Sequence, residues 1–299
     1  MAVRIGVNPI GWTNDDLPEL GGDIPLEVCL REAREAGYEG IELGRKFPRR
    51  ASELRPILER HGLALVSGWY GAELLTRSVK DEIAAVQDHL DLLADMGAPV
   101  MVFAEVSGCV HERRGIPLSR RPTLEGDEAW RRFGDALTEV AEHLQGRGVR
   151  LAYHHHMGTV VETEAEIDRL MGVTGEAVGL LLDTGHLSYA GGDVLGVARR
   201  HAGRLRHVHC KDVRPAVLAE AQRKDWNFLD AVVAGIFTVP GDGIVDYPAL
   251  MRILEAAGYA GWLVVEAEQD PAVAHPLTYA RLGFTHLQRA VTAAGLSGP

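Results

Sequence analysis

Seven of the chain's 13 histidines fall between residues 154 and 209, where an even spread would put about two or three. Six of them come in short clusters: Tyr153–His154–His155–His156, then Asp183–Thr184–Gly185–His186, then His207–Val208–His209–Cys210–Lys211–Asp212. Downstream stands a pair of acids in Val265–Glu266–Ala267–Glu268. Imidazoles and carboxylates gathered in this way supply a mixed nitrogen and oxygen donor set. Such a set suits Mn²⁺, Co²⁺ or Zn²⁺ better than Mg²⁺ or a thiolate-seeking ion. The same groups also hold and move protons near neutral pH. Each cluster has a plainer reading. His154–His156 would be a polar strand end and Asp183 a helix cap; His207 and His209 would be hydrogen-bonded interior histidines, and Glu266 and Glu268 loop carboxylates. Four clusters in succession favour the chemical reading, because the plainer one asks four strand ends to carry metal-type donors by accident.

Positioning these groups requires strands that end side by side. Short β-type runs alternate with amphipathic helical stretches along the chain. The strand candidates are Arg4–Ile10, Gly40–Leu43, Leu63–Trp69, Pro99–Glu105, Arg150–His156, Val178–Asp183, Arg206–His209 and Trp262–Glu266. Helical stretches lie around Pro25–Ala36, Ala51–His61, Asp81–Met96, Glu128–Gln145, Glu164–Met171, Val194–His201, Pro248–Ala257 and Thr278–Ala293. Thr163 and Glu166 have capping-box spacing, and Gly37 follows a helix ending at Ala36. Eight such units predict a single (β/α)8 barrel domain over residues 1–299. A doubly wound sheet fits less well, since no GxGxxG follows the first strand. In a barrel, strands five to eight are neighbours with their ends on the active face. Alternation then puts His207, His209 and Lys211 on one side, with His154 and His156, and Glu266 and Glu268, likewise paired.

Two connections are long and should extend over the barrel mouth after the fourth and seventh strands. Val106–Leu124 carries His111, Arg113, Arg114, Arg120 and Arg121, and Val213–Asp246 holds one extra helix and the turn Gly241–Asp242–Gly243. The arginines read as a solvated loop, Gly241 as a positive-φ turn and Cys210 as a small core residue. Lys+Arg 31 against Asp+Glu 42 leaves a net charge of −11, which disfavours a nucleic-acid partner. Cys29, Cys109 and Cys210 show no CxxC spacing, so no disulfide framework or thiolate zinc site is expected. No apolar run is long enough for a membrane span, and Met1–Ala2–Val3–Arg4 leads into strand-like sequence with no signal peptide, so the expected location is cytoplasmic.

At these motifs the sequence resembles the xylose isomerase-like barrels, and within them the inosose dehydratases. The likeness is carried by Tyr153–Thr159, Asp183–His186, His207–Arg214, Phe237–Gly243 and Val265–Pro271, and extends from Asn8–Trp12 to the last helix. It implies a metal-dependent hydro-lyase that dehydrates 2-keto-myo-inositol (scyllo-inosose) to a trihydroxycyclohexane-1,2-dione in myo-inositol catabolism. It also implies Mn²⁺ or Co²⁺, glutathione, and a small cyclitol ketone as partner, and leaves room for a homo-oligomer. Asp183, His209 and Glu266 match three metal positions of the superfamily. At the fourth, relatives carry Glu and this chain has His154, so His154, His156 and Glu162 all stay open there. For proton removal the candidates are Glu268, His186 and Lys211; for protonating the departing hydroxyl they are His155 and His156. Trp12, Trp69 and Tyr70 are candidate ring walls or core residues. A sugar isomerase or epimerase of the same fold is the alternative, and an endonuclease-type barrel a more distant one.

Overall fold

A computed structural model of the chain describes residues 3–296; Met1 and Ala2, where the absence of a leader was read, lie outside them. Ten strands follow in chain order: β1 (Arg4–Val7), β2 (Gly40–Leu43), β3 (Ala64–Ala72), β4 (Val100–Glu105), β5 (Arg150–His154), β6 (Val178–Asp183), β7 (Leu205–Cys210), β8 (Asp212–Val213), β9 (Phe237–Thr238) and β10 (Trp262–Val265). All but β8 and β9 close into a parallel barrel, in the order β1-β10-β7-β6-β5-β4-β3-β2. β8 and β9 form a small antiparallel ribbon beyond the strand ends. The helices are α1 (Leu26–Ala36), α2 (Ala51–His61), α3 (Val79–Met96), α4 (Gly126–Gly146), α5 (Glu164–Val173), α6 (Thr184–Tyr189), α7 (Val194–Arg200), α8 (Pro215–Lys224), α9 (Phe228–Val233), α10 (Tyr247–Ala256) and α11 (Pro276–Ala293). Among the described residues no helix is long and apolar enough to cross a membrane.

The barrel forms because its strands are apolar on both faces. Val178–Asp183 is buried at every position, as a parallel strand between barrel interior and helix layer must be. Helix ends follow local chemistry: the Thr163–Glu166 capping box starts α5, and Gly37 at φ 111° ends α1. Cys210 is buried in the main core, as alternation from His209 predicts.

Several boundaries differ from the sequence reading, each for a local reason. β1 stops at Val7, short of Ile10, because Pro9 has no N–H for the ladder and Asn8 Oδ1 accepts the Ile10 N–H to begin a 3-10 turn. β5 stops at His154, since the His156 N–H turns to the Val161 carbonyl at 3.0 Å. The extra helix expected after the seventh strand is two, α8 and α9. α6 is absent from the helical stretches read in the sequence, but the helix-cap reading of Asp183 holds: α6 starts immediately after β6 because Asp183 Oδ1 accepts the His186 N–H.

The two long connections pack over the mouth around a second apolar core that includes Leu118, Met157, Tyr189, Phe228 and Phe237. They are clasped to each other where Asp225 Oδ1 accepts the Ser119 N–H at 3.2 Å. Arg121 is not a free lid arginine: its guanidinium reaches Glu162 at 3.2 Å and Glu166 at 2.8 Å, and donates to the Thr159 carbonyl at 3.1 Å. Arg121→Ala strips two largely buried carboxylates of their charged partner, leaving only backbone N–H donors, and should lower the unfolding free energy by about 2 kcal/mol. Chemical denaturation of the purified variant checks this; an unchanged midpoint would show that the Arg121 ion pairs contribute nothing.

Candidate active site

Strand register brings the chemistry together. Asp183 on β6 pairs directly with His209 on β7, and β10 runs alongside β7 so that Glu266 emerges next to both. His209 Nδ1 lies 3.0 Å from Glu266 Oε2 and 3.4 Å from Asp183 Oδ2, and His154 Nε2 is 3.6 Å from the same Asp183 oxygen. The four residues are buried, and their facing atoms all lie within 4.8 Å of one another. Asp183 Oδ2 and His209 Nδ1 make no hydrogen bond, an expensive condition for buried polar atoms, and Glu266 Oε2 has the Lys211 ammonium at 2.9 Å. The opposite edges of Asp183, His154 and His209 are occupied, the last by Glu42 Oε1 at 3.2 Å from His209 Nε2. Asp183 Oδ1 accepts the His186 N–H at 2.8 Å, and His154 Nδ1 donates to the His155 carbonyl at 2.6 Å. The free edges point at one another, as the ligands of a divalent cation do, and two carboxylates would offset its charge. The donor set fits such an ion.

A second group adjoins the first. Lys211 Nζ, wholly buried, lies 2.7 Å from Glu268 Oε1, 2.9 Å from Glu266 Oε2 and 3.6 Å from Asp183 Oδ2. Burial alone would lower its pKa, but Asp183, Glu266 and Glu268 together outweigh that and hold it raised, so the ammonium stays charged. Burial pushes the Glu268 carboxyl up, with Lys211 opposing. His186 Nε2 is 3.0 Å from Lys211 Nζ, and burial, then His156 and Lys211, keep this ring neutral. Gly185 allows the approach: a Cβ there would meet Lys211 Cγ at 2.5 Å. Thr184 Oγ1 accepts the Lys211 N–H at 3.0 Å, pinning the end of β6 to that of β7. His154, His156, His186, Glu266 and Glu268 line one cavity at the barrel mouth, with Trp69 across from them. The Trp69 ring is 5.5 Å from that of His154 and 5.6 Å from that of His156.

Residues 30–290 match the sequence profile described as the xylose isomerase-like TIM barrel. The chain belongs to that family. Among its relatives is the rhizopine catabolism protein MocC of Rhizobium meliloti, 55% identical over 295 residues, spanning 99% of this chain and 90% of that protein. An inosose dehydratase of Geobacillus thermodenitrificans is 44% identical over 279 residues, spanning 93% and 94%. A crystal structure of the IOLI protein with a binding zinc atom superposes with a TM-score of 0.66 at 16% identity, covering 98% of each chain, a likeness of fold.

Against this xylose isomerase-like frame the expected site residues divide. His154, Asp183, His209 and Glu266 converge, and His156, His186, Glu268 and Lys211 gather beside them. Glu162 does not join the cation cluster: it accepts the Gly158 N–H at 2.6 Å and pairs with Arg121. His155 faces away, as alternation from His154 requires, and its Nε2 accepts the Asp183 N–H at 3.2 Å. Burial holds its pKa near 4, and it does not line the cavity. His156 Nδ1–H donates to the Met157 carbonyl at 2.8 Å, so the ring presents a bare Nε2, an acceptor where a proton donor was expected. Trp12 is buried with its indole N–H on Glu32, and Tyr70 donates to Glu82; only Trp69 of the three aromatic candidates lines the cavity. The sequence reading missed Glu42, Asn8 and Asp16, which also line it. Glu42 had a legible signal: a single carboxylate within the otherwise apolar Gly40–Leu43 strand.

Proposed function

We propose that this chain is a metal-dependent hydro-lyase that removes water from 2-keto-myo-inositol to give trihydroxycyclohexane-1,2-dione. The observation that carries the reading is the convergence of His154, Asp183, His209 and Glu266, with unpartnered atoms on Asp183 and His209, beside the buried Lys211–Glu268 pair. Identity of 44% to an inosose dehydratase, over nearly the full length of both chains, supports the same reaction. His154, Asp183, His209 and Glu266 would hold the cation; their mixed nitrogen and oxygen donors suit Mn²⁺, Co²⁺ or Zn²⁺, and the resemblance to the inosose dehydratases favours Mn²⁺ or Co²⁺. When bound, such an ion supplies Lewis acidity to a ketone oxygen.

This chain's residues perform the proton transfers. Glu268, whose Oε2 has no partner and which lines the cavity, takes the proton from the ring carbon next to the carbonyl. The electron pair of that C–H bond becomes the new C=C bond, and the C–O bond on the next carbon breaks. The proton held by Glu268 is returned to the departing hydroxide, which leaves as water, and the enol so formed moves its O–H proton to the carbon that lost the hydroxide, giving the second carbonyl of the dione. Lys211, 2.7 Å from Glu268 Oε1, favours the ionised form of Glu268 before the reaction and is assigned that role in place of the base's. His156 Nε2 accepts from ring hydroxyls, and Trp69 walls the ring.

Incubating the metal-loaded protein with 2-keto-myo-inositol, with and without glutathione, tests the proposal. Dione absorbance with loss of one water by mass spectrometry is expected. An isomer or epimer of unchanged mass, or no turnover in either condition, would contradict it.

A further inference from the structure

Glu42 sits directly behind the proposed cation ligands and is saturated with donors. Its Oε1 accepts from His207 Nε2 at 2.8 Å, from His209 Nε2 at 3.2 Å and from the Ser67 hydroxyl, while Oε2 accepts from Asn8 Nδ2 at 2.7 Å. These donors come from β7, β3 and the residue after β1, so the carboxylate is held from three sides. It is buried, and its donors occupy both oxygens. What it fixes is the ring of His209. With Nε2–H given to Glu42, the lone pair of His209 lies on Nδ1, the atom facing Asp183 and Glu266. Were the hydrogen on Nδ1 instead, Nε2 would put a second lone pair against the carboxylate, and the ring would lose its role as a ligand.

We infer that Glu42 is the positioning residue for the metal: a carboxylate on the second strand that sets the tautomer and orientation of His209 and lends it electron density. The inference rests on the metal site proposed above. His207 shares the carboxylate without lining the cavity, and acts as a buttress that keeps Glu42 in place.

The test is titration of metal-free protein with Co²⁺, followed by calorimetry and by the visible absorption of the bound ion. Wild type, Glu42→Gln, Glu42→Ala and His209→Ala are compared. Glu42→Gln keeps the volume and one acceptor oxygen, so it folds even where Glu42→Ala does not. Co²⁺ affinity should weaken by about tenfold in Glu42→Gln and about 100-fold in Glu42→Ala, with the cobalt bands shifted in both. Folded Glu42 variants with the wild-type Kd and the wild-type spectrum would overturn the role of Glu42 alone. Wild type that binds no Co²⁺, or a His209→Ala protein that binds it as well as wild type does, would overturn the metal site and Glu42's role with it.

Discussion

Replacing His209 by Ala should reduce bound metal from about one ion per chain to below about 0.1, and turnover by about 10⁴-fold, in line with the loss of a central ligand. The expected size follows from where the ring sits. His209 Nδ1 contacts both carboxylates of the cluster, at 3.0 Å to Glu266 and 3.4 Å to Asp183. Without it, His154 and two carboxylates remain, and Lys211 already lies within 2.9 Å of Glu266 and 3.6 Å of Asp183. Those carboxylates then pair with the ammonium and compete poorly for a cation. The fold should survive, because Glu42 keeps His207, Ser67 and Asn8 as donors after His209 is gone. Metal analysis and circular dichroism of the same preparation check both halves. A His209→Ala protein that retains stoichiometric metal would contradict the ligand assignment.

Lys211→Met should be more damaging to the protein as a whole. The side chain is buried and is the cation nearest to Asp183, Glu266 and Glu268 together. Met fills most of the volume but leaves three buried carboxylates without their ammonium, a loss of about 3–5 kcal/mol for the metal-free protein. Bound metal should restore part of that, since it neutralises Asp183 and Glu266, so the variant should be stabilised by Mn²⁺ more than wild type is. Glu268 gains nothing from the metal contacts and takes up a proton instead, as burial already favours. Turnover should therefore fall by about 10³-fold or more even in metal-saturated variant, since the base is blocked. Thermal melts with and without Mn²⁺, paired with turnover at saturating metal, separate the two effects. Full turnover in metal-loaded Lys211→Met would remove Lys211 and Glu268 from the proposed chemistry.

Much of this site is readable in the sequence because parallel barrels make strand ends converge. Once Asp183, His209 and Glu266 are placed at the ends of consecutive strands, their meeting follows from β-sheet geometry alone. Alternation likewise separates His155 from His154 and His156, and sends Cys210 to the core. What the sequence could not supply is the partnership of residues far apart along the chain. Glu42 and His209 are separated by 167 positions, and no local spacing joins them. Glu162 looked like a reaching ligand because its rival partner, Arg121, lies in a loop whose path only the folded chain defines. The tautomer of His156 depends on a backbone carbonyl, that of Met157, which carries no signal in residue type. Asp183 reads either as a helix cap or as a cluster donor, and it serves as both: one oxygen caps α6 and the other faces the cluster.

The most direct measurement is a titration of metal-free protein with Mn²⁺ in which turnover of 2-keto-myo-inositol is followed on the same sample. The rate should rise linearly from near zero and level off at about one ion per chain, the stoichiometry of a single four-residue cluster. Undiminished turnover in protein shown to be free of metal would contradict the account.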